Sequence, residues 1–143
     1  MSIVVVDASV IVKWLIPQKE DENDIEQAFV VLECIKSREV DICQPPHWLA
    51  EVAAVTTRLT PQSADEDIRD LYAMKFPVID TLEVYQRASE LSRTLNHHLF
   101  DTLYHATALC LGDAHLVTAD EKYHSKAGSL GHIILLKDFR LPA

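Results

Sequence analysis

With 143 residues, 48% of them hydrophobic and 24% charged, the chain has the size and balance of one soluble globular domain spanning 1–143. That length is enough to bury about 68% of the unfolded surface without covalent staples. No apolar run approaches the roughly 20 residues of a membrane span, and no basic stretch precedes an apolar core at the N-terminus, so a cytoplasmic protein is expected. The net charge of -9, from 22 acids against 13 bases, argues against a strongly basic nucleic-acid binder and leaves only weak affinity for a phosphate backbone.

In chain order, Ile3 to Val6 is a continuous β-branched run, the pattern of a strand buried on both faces. A short helix is predicted through Val10 and Trp14 until Pro17. Asn23, with Glu26 three residues on, predicts an N-capped helix that buries Ile25, Phe29, Leu32 and Ile35. Val40 to Cys43 is a short strand closed by Pro45-Pro46, and His47 to Leu59 is helical. Ser63 and Glu66 form a capping-box signature for a helix through Ile68, Leu71 and Tyr72. Pro77 to Ile79 is a minimal strand, and Thr81 caps a helix carrying Leu82, Tyr85, Ala88, Leu91 and Leu95.

After the loop Asn96-His97-His98, a helix is predicted from Asp101 to Leu111, ended by Gly112. His115 to Thr118 is a strand, Glu121 opens a short helix, and His132 to Leu136 is the last strand. Strands alternating with helices predict an α/β fold, a central parallel sheet of four to five strands flanked by helices on both faces. Cys34, Cys43 and Cys110 are odd in number and widely spaced, so they read as buried thiols rather than disulfides or a zinc site.

Four acids sit where a strand or loop hands over to a helix: Asp7, Glu51, Asp101 and Asp120. The carboxyl ends of parallel strands line one crevice, and four carboxylates converging there would repel one another unless a cation lay between them. A hard divalent ion such as Mg²⁺ or Mn²⁺ answers that need. Asp7, Asp101 and Asp120 could equally be helix N-caps, with Glu121 able to share or replace the role of Asp120. Glu51 is too far into its segment to be a cap and lies among Trp48, Leu49, Val52 and Val55, where a partnerless buried carboxylate is costly.

Together the segments Val5-Val6-Asp7-Ala8-Ser9, Pro46-His47-Trp48-Leu49-Ala50-Glu51-Val52, Phe100-Asp101-Thr102-Leu103-Tyr104-His105-Ala106 and Leu116-Val117-Thr118-Ala119-Asp120-Glu121 resemble, in order and over essentially the whole chain, the four motifs of the PIN-domain ribonucleases, and among these the VapC-type toxins of toxin–antitoxin pairs. The resemblance implies that Asp7, Glu51, Asp101 and Asp120 hold one or two Mg²⁺ or Mn²⁺ ions, with hydroxyls from Ser9 and Thr118 at the pocket edge. The implied reaction is in-line attack of a metal-activated water on an RNA phosphodiester. It also implies a homodimer and a small cognate antitoxin. The charge of the crevice favours an antitoxin that places an Arg among the acids, with its peptide seated as a helix or extended strand in apolar grooves around Trp14 and Trp48, and the dimer face is expected on the helices of Tyr72 and Tyr85. Where the family often has Asn three residues after the Glu, this chain has Ala54.

Other residues carry plainer readings. His97-His98 is read as a solvated loop, His105 as a packing residue, Trp14 and Trp48 as core or interface anchors, and Lys13, Arg58 and Lys122 as surface charge. A haloacid-dehalogenase-type phosphatase would need a second Asp where Ser9 stands, and a phosphoacceptor receiver would need paired acids after the first strand. A catalytically silent PIN-like binding module is the remaining rival, disfavoured by four intact and mutually repelling acids.

Overall fold

The computed structural model describes residues 2–16 and 22–140. Among them a four-stranded parallel sheet, in the order β2-β1-β3-β4, is built from β1 (Ser2–Val6), β2 (Val40–Ile42), β3 (Ala114–Thr118) and β4 (Ile133–Leu135). Seven α-helices surround it: α1 (Ala8–Leu15), α2 (Glu22–Lys36), α3 (Trp48–Leu59), α4 (Ala64–Ala73), α5 (Leu82–Leu95), α6 (Leu99–Leu111) and α7 (Glu121–Ala127). Val4, Val5 and Val6 are all buried in succession, which requires cover on both faces of the sheet. None of the described helices is long and apolar enough to cross a membrane.

One core lies around the sheet and joins β1, β3, α1, α2 and α6. A second, smaller one zips α5 to α6 through Val84, Ala88, Leu91, Leu103 and Ala106, and the Thr102 hydroxyl donates to the Ala88 carbonyl at 2.8 Å across that seam. Because α5 and α6 are packed this tightly, the turn between them is held in one place, and that turn feeds the site.

Several expected elements shift. The helix α2 already runs at Glu22, so Asn23 lies inside its first turn rather than before it. Its buried face is Ala28, Val31, Cys34 and Ile35, whereas Phe29 is 39% exposed and Ile25 and Leu32 are half-buried. The stop at Pro17 and the acids Glu20 and Asp21 lie outside the described residues. Ser63 has helical backbone angles and no capping hydrogen bond, because a capping side chain needs an extended residue. Thr81 does cap α5, accepting from the Val84 amide. Pro77 to Ile79 amounts to one parallel bridge, Val78 beside Gln44. The helix α6 starts at Leu99 with His98 as its cap, which puts Asp101 inside the first turn.

Gln44 explains how so short a β2 can support β1. The strand β2 ends at Ile42, two residues before the backbone of Val6 has been satisfied. The fully buried Gln44 side chain takes the place of the missing strand: its Nε2 donates to the Val6 carbonyl and its Oε1 accepts from the Val6 amide, both at 2.8 Å. This fixes the last residue before Asp7. Replacing Gln44 with Ala would leave two buried backbone groups unpaired, at about 1–3 kcal/mol each. Urea unfolding of Q44A should therefore show a loss of about 2–4 kcal/mol, and a loss below about 0.5 kcal/mol, the size of an ordinary surface change, would contradict this role.

Candidate metal centre

In the order β2-β1-β3-β4 the sheet runs outward from β1 in both directions, so the carboxyl ends of β1 and β3 border the topological switch point where open parallel sheets bind ligands. Asp7 follows β1 and Asp120 follows β3 after one residue. Asp101 and Glu51 arrive from the first turns of α6 and α3. All four acids thus stand at helix N-termini, where the helix dipole favours negative charge.

Each aspartate is fixed through one oxygen. Asp7 caps α1, its Oδ2 accepting from the Ser9 amide at 3.1 Å. Asp120 caps α7, its Oδ1 accepting from the Tyr123 amide at 3.0 Å. Asp101 has its Oδ2 2.9 Å from Nε2 of His97. The cap and ligand readings are therefore compatible for Asp7 and Asp120, since each cap bond engages one of the two carboxylate oxygens.

The Ser9 hydroxyl accepts from the Ala119 amide at 3.1 Å, and the buried Thr118 hydroxyl accepts from the Asp120 amide at 3.0 Å. The first bond ties the start of α1 to the segment after β3, and the second sets the turn that presents Asp120. Acting as acceptors here, both hydroxyls keep a proton to donate. Ala54 is exposed on α3.

Charge at the site is poorly compensated. Asp7 is 9% exposed, and its pKa is raised from 3.8 to about 6, mainly by burial and further by Asp101 and Asp120, with the Ser9 hydroxyl and amide pulling the other way. Glu51 is raised from 4.5 to about 7, again mainly by burial and further by Asp7 and Asp101, with the Tyr104 hydroxyl pulling the other way. The four acids therefore share one electrostatic neighbourhood. Among the described residues the ion pairs at this site are both to histidines, His97–Asp101 and His47–Glu51, the latter at 3.4 Å.

His47 gives Glu51 little charge. Burial lowers its pKa, and its Nε2 lies 2.7 Å from the Phe100 carbonyl. One buried polar atom nearby, His47 Nδ1, has no hydrogen-bond partner among the described residues. Tyr104 lies against Asp7 and Glu51; desolvation first, and then those two carboxylates, hold its hydroxyl above the usual tyrosine range. The gathered carboxylate oxygens are the hard donor chemistry that suits Mg²⁺ or Mn²⁺, and the orphaned His47 nitrogen beside them marks a missing partner.

The tightest group among the described residues is His97, Asp101 and Asp120, whose ligand atoms all lie within 4.8 Å of one another, while Asp7 and Glu51 stand outside it. The solvated-loop reading fails for His97, whose side chain is 10% exposed and packs edge-on against Tyr123 at 4.9 Å between ring centroids. It holds better for the exposed His98, which caps α6 by accepting from the Phe100 amide. His105 is a packing residue: fully buried, it bridges the Tyr123 hydroxyl and the Gly131 carbonyl, both at 2.8 Å. Sequence reasoning missed His97 and gave Tyr104 no role of its own. The signal for Tyr104 was helical spacing, three residues after Asp101; His97 lies before the cap of α6, and no local pattern marks it.

A pH dependence follows. Asp7 and Glu51 have folded-state pKa values above their ordinary ones, so the folded state holds these protons more tightly. Their contribution to stability is complete below about pH 4 and disappears as pH rises through about 6 to 7. A divalent ion held by the same carboxylates would replace the protons. Melting temperature in chelator should fall as pH is raised from about 5 to about 8, and Mn²⁺ should restore most at the upper end. A flat profile, or a larger Mn²⁺ effect at low pH, would contradict this electrostatic account.

A family model described as PIN domain matches residues 4–129. Among solved structures, VapBC2 from Rickettsia felis, bound to a DNA fragment from their promoter, is similar at 18% identity and a TM-score of 0.63, covering 93% of this chain and 96% of that one. VapBC-1 from nontypeable Haemophilus influenzae is similar at 14% identity and a TM-score of 0.64, covering 95% and 99%. No curated protein matches the chain. At these identities the structural likeness shows the fold, and the family match covers most of the sequence. The chain belongs to the PIN domain family.

Proposed function

We propose that the protein is a divalent-metal-dependent endoribonuclease of the VapC type, the toxin of a toxin–antitoxin pair. The observation that supports this best is the gathering of Asp7, Glu51, Asp101 and Asp120 at the switch point of the sheet, with histidines as their ion-pair partners among the described residues. The acids would hold Mg²⁺ or Mn²⁺, which when bound supplies the positive charge that lets water attack an RNA phosphodiester. The side chains do the positioning. Caps hold Asp7 and Asp120, His97 holds Asp101, and the Ser9 and Thr118 hydroxyls anchor the segment after β3. No side-chain nucleophile is needed.

The partner reading draws on the solved neighbours, which are VapBC proteins. A net charge of -9 with acids concentrated in one crevice favours a basic segment, and an Arg fork could pair with these carboxylates in place of the ion. The seat for such a segment differs from the one expected. Trp48 is buried against Phe76, and Trp14 is half-buried with its Nε1 donating to the Ala28 carbonyl at 2.7 Å. The better seat is a groove on α2 lined by Phe29, Val30 and Cys34 and edged by Glu26, Glu33 and Glu39, which suits an amphipathic basic peptide. Tyr72 and Leu82, each 71% exposed, with Tyr85 at 41%, offer an apolar surface for a second copy.

Asp7→Asn and Asp101→Asn should each reduce Mg²⁺-dependent RNA cleavage by more than the about 10–100-fold that loss of a supporting partner costs. Both variants should stay folded, because Asn can still cap α1 and Asp101 caps nothing. Full activity in either would rule out the mechanism. Unchanged metal binding with no cleavage by the unsubstituted protein, on any RNA tried, would favour the silent module. Co-expression with the product of the neighbouring reading frame should suppress cleavage; a monomer indifferent to it would defeat the toxin reading alone.

A further inference from the structure

His97 is delivered to the acids by the turn between α5 and α6. Asn96 closes α5 in the left-handed conformation, with φ 50° and ψ 57°, and the Ser92 hydroxyl donates to the His97 carbonyl at 2.6 Å. The imidazole is then held from three sides: Nε2 by Asp101, the ring by Tyr123, and Nδ1 by Lys126 Nζ at 3.2 Å. A nine-tenths buried imidazole fixed this firmly, within 4.8 Å of Asp101 and Asp120 ligand atoms, is poorly accounted for as a screening charge. It brings a second imidazole, beside that of His47, to a site otherwise made of oxygens.

We infer that His97 is a nitrogen ligand, alongside Asp101 and Asp120, of the divalent ion, and that this chain therefore favours Mn²⁺ over Mg²⁺. The inference rests on the metal-dependent reading of the site. Mg²⁺ wants oxygen ligands and keeps its water, while imidazole suits the transition dications. The proton balance is simple. Lys126 donates to Nδ1, which keeps the imidazole proton on Nε2 facing Asp101. Ligation through Nε2 passes that proton to solvent and Nδ1 takes one up from solvent, a change of tautomer with no net proton released. Lys126 then keeps only its second acceptor, the Asn96 carbonyl at 3.0 Å.

The test is pulsed electron paramagnetic resonance of Mn²⁺ bound to the unsubstituted protein and to His97→Gln, with calorimetric titrations of Mn²⁺ and Mg²⁺. Imidazole nitrogen coupling is expected in the unsubstituted protein. Its disappearance in H97Q assigns it to His97 rather than to His47, the other imidazole beside an acid. Mn²⁺ affinity should fall about tenfold in H97Q and Mg²⁺ affinity much less. Mn²⁺ bound without nitrogen coupling, or coupling that survives in H97Q, would overturn the inference and leave the proposed function standing. Failure of the unsubstituted protein to bind Mn²⁺ would overturn both. His47→Gln, in which the coupling should persist, makes the same assignment, so a folding defect in H97Q leaves the test decisive.

Discussion

The structure turns on repulsion among carboxylates packed at the carboxyl ends of β1 and β3. Asp7 is nearly buried, and both it and Glu51 are pushed toward neutrality by desolvation and by their acidic neighbours. A fold that places such groups together gives up stability at neutral pH unless a cation is bound. The local features that would otherwise look incidental serve to hold this arrangement: Gln44 in place of a longer β2, the Ser9–Ala119 tie, and the caps on α1 and α7.

Helix N-termini supply part of the compensation. Asp7 and Asp120 are caps, and Glu51 and Asp101 lie in first turns, so the positive ends of four helices meet the acids. Each such contact stabilises by about 0.3–1 kcal/mol near a surface. A carboxylate lifted by two or more pKa units by its surroundings is not neutralised by contributions of that size. The dipoles position and soften the charge, and an ion is still needed to satisfy it. On the proposed function, an Arg from an antitoxin would meet the same need by different means.

Much of this was legible in the sequence because it rests on local patterns. A run of β-branched residues ending in Asp marks the end of a buried strand, and Asp7 and Asp120 stand at or just past such ends. Asp101 does lie near a helix start, but His98, directly before the first helical residue Leu99, takes the cap, because its ring accepts from the Phe100 amide. What was not legible depended on tertiary structure. Gln44 is buried only because β2 is short, which no local pattern reveals. The inward face of α2 is made of small side chains such as Ala28 and Cys34, while large Phe29 points outward, so weighting by size leads to the wrong phase. His97 acquires its partner only once α6 has begun before Asp101.

The central claim is that the acid crevice is a cation site. Anomalous diffraction from crystals of the protein grown with Mn²⁺ tests it most directly. The account predicts a Mn²⁺ peak within coordination distance of Asp101 and Asp120, on the side facing Asp7 and Glu51. Clear density for all four carboxylates with no anomalous peak among them, at saturating Mn²⁺ and a pH of about 8, above the raised values of Asp7 and Glu51, would contradict it.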